Sequence, residues 1–188
     1  LRTFLRDQGW FDERGIAIPN LAELLDLVAL GTVADVVPLD ANNRILTWQG
    51  MSRIRAGKCR PGIKALLEVA NRDPQKLAAS DLGFALGPRL NAAGRLDDMS
   101  VGVALLLCDN IGEARVLANE LDALNQTRKE IEQGMQVEAL TLCEKLERSR
   151  DTLPGGLAMY HPEWHQGVVG ILASRIKERF HRPVIAFA

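Results

Sequence analysis

Cysteine is scarce in this 188-residue sequence: Cys59, Cys108 and Cys143 lie far apart, with no C-x-x-C spacing. That excludes a disulfide framework or a zinc knuckle and fits a reducing cytoplasm. Charge of one sign is missing too, because 23 basic side chains nearly cancel 24 acidic ones. No overall positive field advertises a nucleic-acid partner, and only a local basic patch can serve one. No apolar run reaches the roughly 18 residues of a membrane span, and the start lacks the basic-then-apolar plan of a signal peptide. There is no internal repeat, low-complexity tract, Walker A loop, dinucleotide-binding glycine fingerprint or G-x-S-x-G elbow. The chain opens at Leu1 without methionine and stops at Ala188 inside an expected strand, which reads as an internal fragment. What remains is a 47% hydrophobic composition, enough for a real core in one domain or one and part of another.

Within that composition the run Ala29 to Leu39, ALGTVADVVPL, sets one carboxylate, Asp35, among Val33, Ala34, Val36 and Val37. Desolvating it costs several kcal/mol unless donors or a cation replace the water, so Asp35 is expected to have a partner. Asn20 is a plausible N-cap with Glu23 three positions on, and Leu21, Leu24, Leu25 and Val28 follow at helical spacing as an inward stripe. Asp40 to Asn43 reads as a turn. From Arg44 to Lys64 six cations occur without an acid, with Trp48 among them. This is either a phosphate-tracking face or a solvated helix face with a polar loop, and composition favours the second. Ile63, Leu66, Leu67 and Ala70 form the next inward stripe, and Ser80 is the following N-cap candidate.

Gly87 to Arg95, GPRLNAAGR, places Arg89, Asn91 and Arg95 beside small residues. Guanidinium forks suit phosphate oxygens, and small residues let a ligand approach the backbone. The alternative is pairing of both arginines with Asp97 and Asp98. Ile111 to about Arg150 reads as one helix close to 60 Å long at about 1.5 Å per residue. It suits a strut between lobes better than a dimeric coiled coil, because Arg128 and Glu138 interrupt its stripe. Asp151 to Gly156 breaks it, and Leu157 to Tyr160, Gly167 to Phe180 and Val184 to Ala188 read as a β-α-β unit with a parallel sheet. Gly167 and Gly170 near that helix start offer amides to an anion. His161 and His165 are disfavoured as a metal pair, because Pro162 lies between them and H-E-x-x-H is absent. The residues together describe a two-lobed α/β protein suited to metal-assisted phosphate chemistry.

ALGTVADVVPL, NNRILTWQG (Asn42 to Gly50), GPRLNAAGR and WHQGVVGILASR, in this order with a long helix before the last, resemble the RecJ single-strand DNA exonucleases, enterobacterial members included. These belong to the DHH phosphoesterase superfamily, and the resemblance runs from about Leu21 to the end. It implies the C-terminal part of a DHH catalytic domain over 1–110, a connecting helix over 111–150 and the start of a second α/β lobe, DHHA1, over 151–188. The implied activity is stepwise hydrolysis of single-stranded DNA from the 5′ end with Mg²⁺ or Mn²⁺, in recombination and mismatch repair. By the same resemblance Asp35 is a catalytic metal ligand, a role for which hard oxygen donors are suited. Arg89, Asn91 and Arg95 belong to a phosphate-gripping motif, Arg89 foremost. His165, Gly167, Gly170, Ser174 and Arg175 open the lobe that closes around the strand, and Trp48 and Trp164 are candidate stacking platforms. The partner is single-stranded DNA, with repair proteins as further candidates, a monomeric state and no membrane. The motifs carrying the other metal ligands are absent from the chain, so the chain itself is expected to be inert. Two rivals stand: a superfamily enzyme for oligoribonucleotides, cyclic dinucleotides or pyrophosphate, and a non-catalytic module that self-associates through Leu121, Leu124 and Ile131.

Overall fold

The computed structural model describes residues 1–149 and 154–188. Two short helices, α1 (Arg2–Asp7) and α2 (Trp10–Glu13), lead in, and a 3₁₀ turn over Leu21–Leu24 opens α3 (Leu25–Ala34). Then come α4 (Ala41–Arg55), α5 (Pro61–Val69), a single turn α6 (Ala79–Asp81), a π-helical turn Leu82–Leu86, α7 (Gly87–Leu96) and α8 (Ser100–Leu107). The 39-residue α9 (Ile111–Ser149) follows, then β1 (Leu157–Tyr160), α10 (Val169–Phe180) and β2 (Val184–Phe187). β1 and β2 pair in parallel, Leu157 opposite Val184 and Tyr160 opposite Phe187, so the expected β-α-β unit forms. The expected helix end near Arg150 and the first part of the break at Asp151 to Gly156 lie outside the described residues. Among the described residues no helix is long and apolar enough to cross a membrane.

Two apolar clusters share α9. Its first half supplies Ala114, Ala118 and Leu121 to a core with α3, α5, α7 and α8, where Ile63, Leu66, Leu86 and Leu105 are fully buried. Its second half supplies Met135, Ala139 and Cys143 to a core with Leu157, Met159, Val168, Leu172 and Ile176. The stripe of α9 is therefore consumed within the chain, Leu121 completely, which removes the main anchor of the proposed self-association through Leu121, Leu124 and Ile131.

Several sequence expectations shift here. The inward face of α3 is Asp26, Ala29 and Leu30, while Leu21, Leu24 and Val28 are exposed. The cause is close helix contact: a Cβ on Gly50 of α4 would stand 2.0 Å from the Leu25 carbonyl oxygen and 2.6 Å from Ala29 Cβ. Small residues set the α3–α4 seam, and the larger apolar side chains are left on the other side. Gly50→Ala is expected to cost about 2 kcal/mol or more, since overpacking against backbone leaves little room to relax. Chemical denaturation measures it, and a loss under about 0.5 kcal/mol, the scale of an ordinary surface change, would contradict this packing. Asp40 to Asn43 is not a free turn: the Asp40 carboxylate accepts the Asn43 N–H at 2.8 Å and caps α4. Ser80 is not a cap either, because the helix begins at Ala79 and the Asp81 carboxylate accepts the Ala78 N–H at 2.8 Å.

On α3 the buried carboxylate is Asp26, fully enclosed, rather than Asp35 at the helix end, which is exposed. Asp26 Oδ2 accepts the Arg60 N–H and Oδ1 the Leu27 N–H, each at 2.8 Å, which replaces lost hydration and ties α3 to the start of α5. Burial, with the Asp26 charge beside it, pushes the Cys59 thiol up from its ordinary value. Of the cations before Lys64, Arg55 donates to the Leu77 carbonyl oxygen at 2.6 and 3.0 Å, and Arg60 stands 3.8 Å from Asp109. These two tie the fold together.

Candidate nucleic-acid interface

GPRLNAAGR forms helix α7 rather than a glycine loop. Pro88 sits in its first turn, Gly87, Leu90, Ala92 and Ala93 face the core, and Asn91 and Arg95 face solvent. Gly87 meets α3, where an added Cβ would lie 3.2 Å from Ala34 Cβ. That contact brings the end of α3 beside α7. Asp35 caps α3, and the next residue, Val36, takes a left-handed φ of 54°. The Val36 and Val37 amides donate back to Val33 and Thr32, so a Schellman turn is closed by a β-branched residue where glycine is usual. The strain is of order 1–3 kcal/mol and aims the chain away abruptly after Asp35. Among the described residues the Asp35 carboxylate has no side-chain partner, and it shares a cavity of about 270 Å³ with Asn91, Gly87 and Leu90.

Asn91 also lines a second, adjoining cleft of about 340 Å³ between α7, α9 and α10. Arg89, Arg95, Arg128, Lys129 and Arg175 surround this cleft. Arg89 donates to the Ala85 carbonyl oxygen at 2.7 Å and forms an ion pair with Asp122 at 2.8 Å. Arg95 donates to the Gly167 carbonyl oxygen at 3.0 Å, crossing from α7 to the segment before α10. Neither arginine pairs with Asp97 or Asp98. Asp98 instead accepts the Ser100 hydroxyl and N–H, which hold its carboxyl below the usual range.

Across the cleft, the Gly167 N–H donates to His165 Nδ1 at 3.1 Å, so this amide is already engaged within the chain. Gly167 is needed for a different reason: a Cβ there would lie 2.1 Å from the Arg95 carbonyl oxygen. Gly170 and Ser174 are exposed on α10, and neither they nor His165 line the cleft, whereas Arg175 does. Trp164 is buried, donates its indole N–H to Glu138 at 2.8 Å and stacks on His161, so it offers no platform to a ligand. Trp48 is exposed on α4, outside this cleft.

Pattern reading missed the floor. On α9 the Arg128 guanidinium donates to Glu132 Oε2 and, at 3.0 Å, to Asn125 Oδ1, while Glu132 Oε1 accepts Arg175 Nε at 3.2 Å. Asn125 and Glu132 are nearly inaccessible, at 1% and 8%. The signal was present, since Leu121, Asn125, Arg128, Glu132 and Met135 recur at core-facing steps of a helix. Glu132 fixes two guanidinium groups, and Lys129 adds a third cation without an ion pair among the described residues. Such an array fits a chain of phosphates better than a single anion. Among the described residues no three His, Cys, Asp or Glu side chains are grouped to hold a metal. Asp35 thus fits one metal ligand and not a complete site.

A helical lobe and a parallel-stranded lobe sharing one long helix, with a cationic cleft where they meet, is the α/β architecture of the DHH/DHHA1 phosphoesterases. No family model matches the chain. The single-stranded-DNA-specific exonuclease RecJ of Escherichia coli (strain K12) is 98% identical over 188 residues, all of this chain and 33% of that protein. RecJ from Thermus thermophilus in complex with Mg²⁺ superposes with a TM-score of 0.76 at 36% identity, over 95% of this chain and 27% of that one. Its complex with Mn²⁺ gives the same TM-score and identity over 95% and 26%. The chain belongs to the RecJ family along its whole length, and it spans about a third of the length of the curated relatives it matches.

Proposed function

We propose that this chain is the strand-holding part of a divalent-metal-dependent exonuclease that hydrolyses single-stranded DNA from the 5′ end, serving recombination and mismatch repair in the cytoplasm. The observation that carries the reading is the continuity from the carboxylate of Asp35, through Asn91, to the cleft ringed by five cations. Residues 1–110 form the C-terminal part of the DHH domain, 111–150 the connecting helix and 151–188 the start of DHHA1. Arg95, Arg128, Lys129 and Arg175 grip successive phosphates. Arg89 is anchored by Asp122 and presents its remaining donors to the same strand, with Asn91 beside it. Gly167, braced by His165, holds Arg95 from the segment before α10, and Gly170 and Ser174 lie on α10 away from the cleft.

Asp35 supplies one oxygen ligand for Mg²⁺ or Mn²⁺, and the other ligands come from outside this chain. Bound in the complete protein, the ions supply an activated water and stabilise the leaving oxygen. The 188-residue chain is therefore inert alone. A monomer is favoured because Leu121 is used internally.

The test is substrate choice by the complete protein in Mn²⁺. Progressive digestion of long single-stranded DNA, with little action on duplex, is the expected result. Preference for oligoribonucleotides, cyclic dinucleotides or pyrophosphate would overturn the reading in favour of another superfamily activity. Mn²⁺-dependent digestion by the 188-residue chain alone would contradict its inertness.

A further inference from the structure

Phe84 is 86% exposed, yet it lines the cationic cleft with Pro88, Arg89, Asn91 and Arg95. Its neighbours Leu82, Ala85 and Leu86 are all buried. Positions 82, 85 and 86 are the i, i+3 and i+4 set of one helical face, so their burial turns Phe84 to the opposite side. The chain also makes a π turn here, closed by the Gly87 N–H on the Leu82 carbonyl oxygen. π turns cost helical regularity and are frequent at functional sites. From Phe84 the steps to Pro88, Asn91 and Arg95 are four, three and four, so the ring stands on the same face as the groups that line the cleft.

An isolated exposed apolar side chain normally needs no explanation. An aromatic ring exposed among the cations of this cleft does, because single-strand sites combine a basic groove with faces on which bases stack. We propose that Phe84 is a nucleobase-stacking platform at this cleft: the cations hold the phosphates, and the ring takes one base irrespective of its identity. The proposal rests on the reading of the cleft as a single-strand site.

The experiment measures affinity of the complete protein, with divalent metal withheld, for an oligothymidine strand and for an abasic strand of equal length. Phe84→Ala should weaken binding of the thymidine strand by about 5- to 150-fold, the range of one lost stacking contact. It should leave the abasic strand and the melting temperature unchanged, and Phe84→Trp should restore affinity. The slope of log affinity against log salt should stay the same for Phe84→Ala, whereas Lys129→Ala should lower it by about 0.7. Equal losses on both strands, a fall in melting temperature, or no loss on thymidine would overturn the proposal while leaving the cleft reading intact. Failure of the unsubstituted protein to bind either strand would bring down both.

Discussion

Glu132→Ala is expected to lower stability by about 3 kcal/mol, because removing one member of a buried ion pair leaves its partner charge uncompensated. Glu132 is 8% exposed and receives Arg128 and Arg175 from two different helices. Arg175 keeps about half its side chain in solvent and loses little by itself, so most of the cost falls on Arg128, whose side chain is only 13% exposed. At roughly 2–4 °C per kcal/mol for a domain of this size, the melting temperature should fall by about 6–12 °C. Arg128→Ala placed on top of Glu132→Ala should recover part of that loss, since it deletes the stranded charge, and the two effects should be clearly non-additive. Thermal melting of the single and double variants checks this. Additive losses, or a shift below about 1 °C for Glu132→Ala, would mean that the pair is not part of the fold's framework. The functional consequence is separate: with Glu132 gone, Arg128 and Arg175 lose the support that holds them at the cleft.

How much of this was legible in the sequence varies from element to element. The 39-residue α9 and the β-α-β unit were readable because a long proline-free segment with a 3.6-residue period and short β-rich runs leave few alternatives. The buried face of α3 was not readable from hydrophobicity. It is decided by Gly50 fitting against Leu25 and Ala29, a matter of close backbone approach that apolar counting ignores. The same blindness exchanged two aspartates. A carboxylate in an apolar run was expected to need partners, and one does; it is Asp26, whose partners are backbone amides from Leu27 and Arg60. Asp35 is held outward by the Schellman turn at Val36, a backbone event with no sequence signature, since valine rarely takes a positive φ. Asn125, Arg128 and Glu132 are polar residues at inward positions of α9, but reading Arg128 only as an interruption of a stripe, and passing over Asn125 and Glu132, hid a network. Trp164 illustrates the reverse error, an aromatic whose indole N–H is satisfied by Glu138 inside the second core.

We propose that the outward carboxylate of Asp35 belongs to the metal site at the end of the cleft. Asp35 is exposed and has no side-chain partner among the described residues, so its removal should change stability by no more than about 0.5 kcal/mol. A group next to the reacting phosphate behaves differently, and its loss should lower turnover at least ~100-fold, the scale on which deleting one transition-state contact acts. The measurement is Mn²⁺-dependent digestion of long single-stranded DNA by the complete protein and its Asp35→Ala form, with melting temperature recorded for both. Turnover lost with melting unchanged is the result this account predicts. Undiminished turnover per folded molecule would contradict it, because the chemistry would then lie away from the carboxylate around which the cleft has been read.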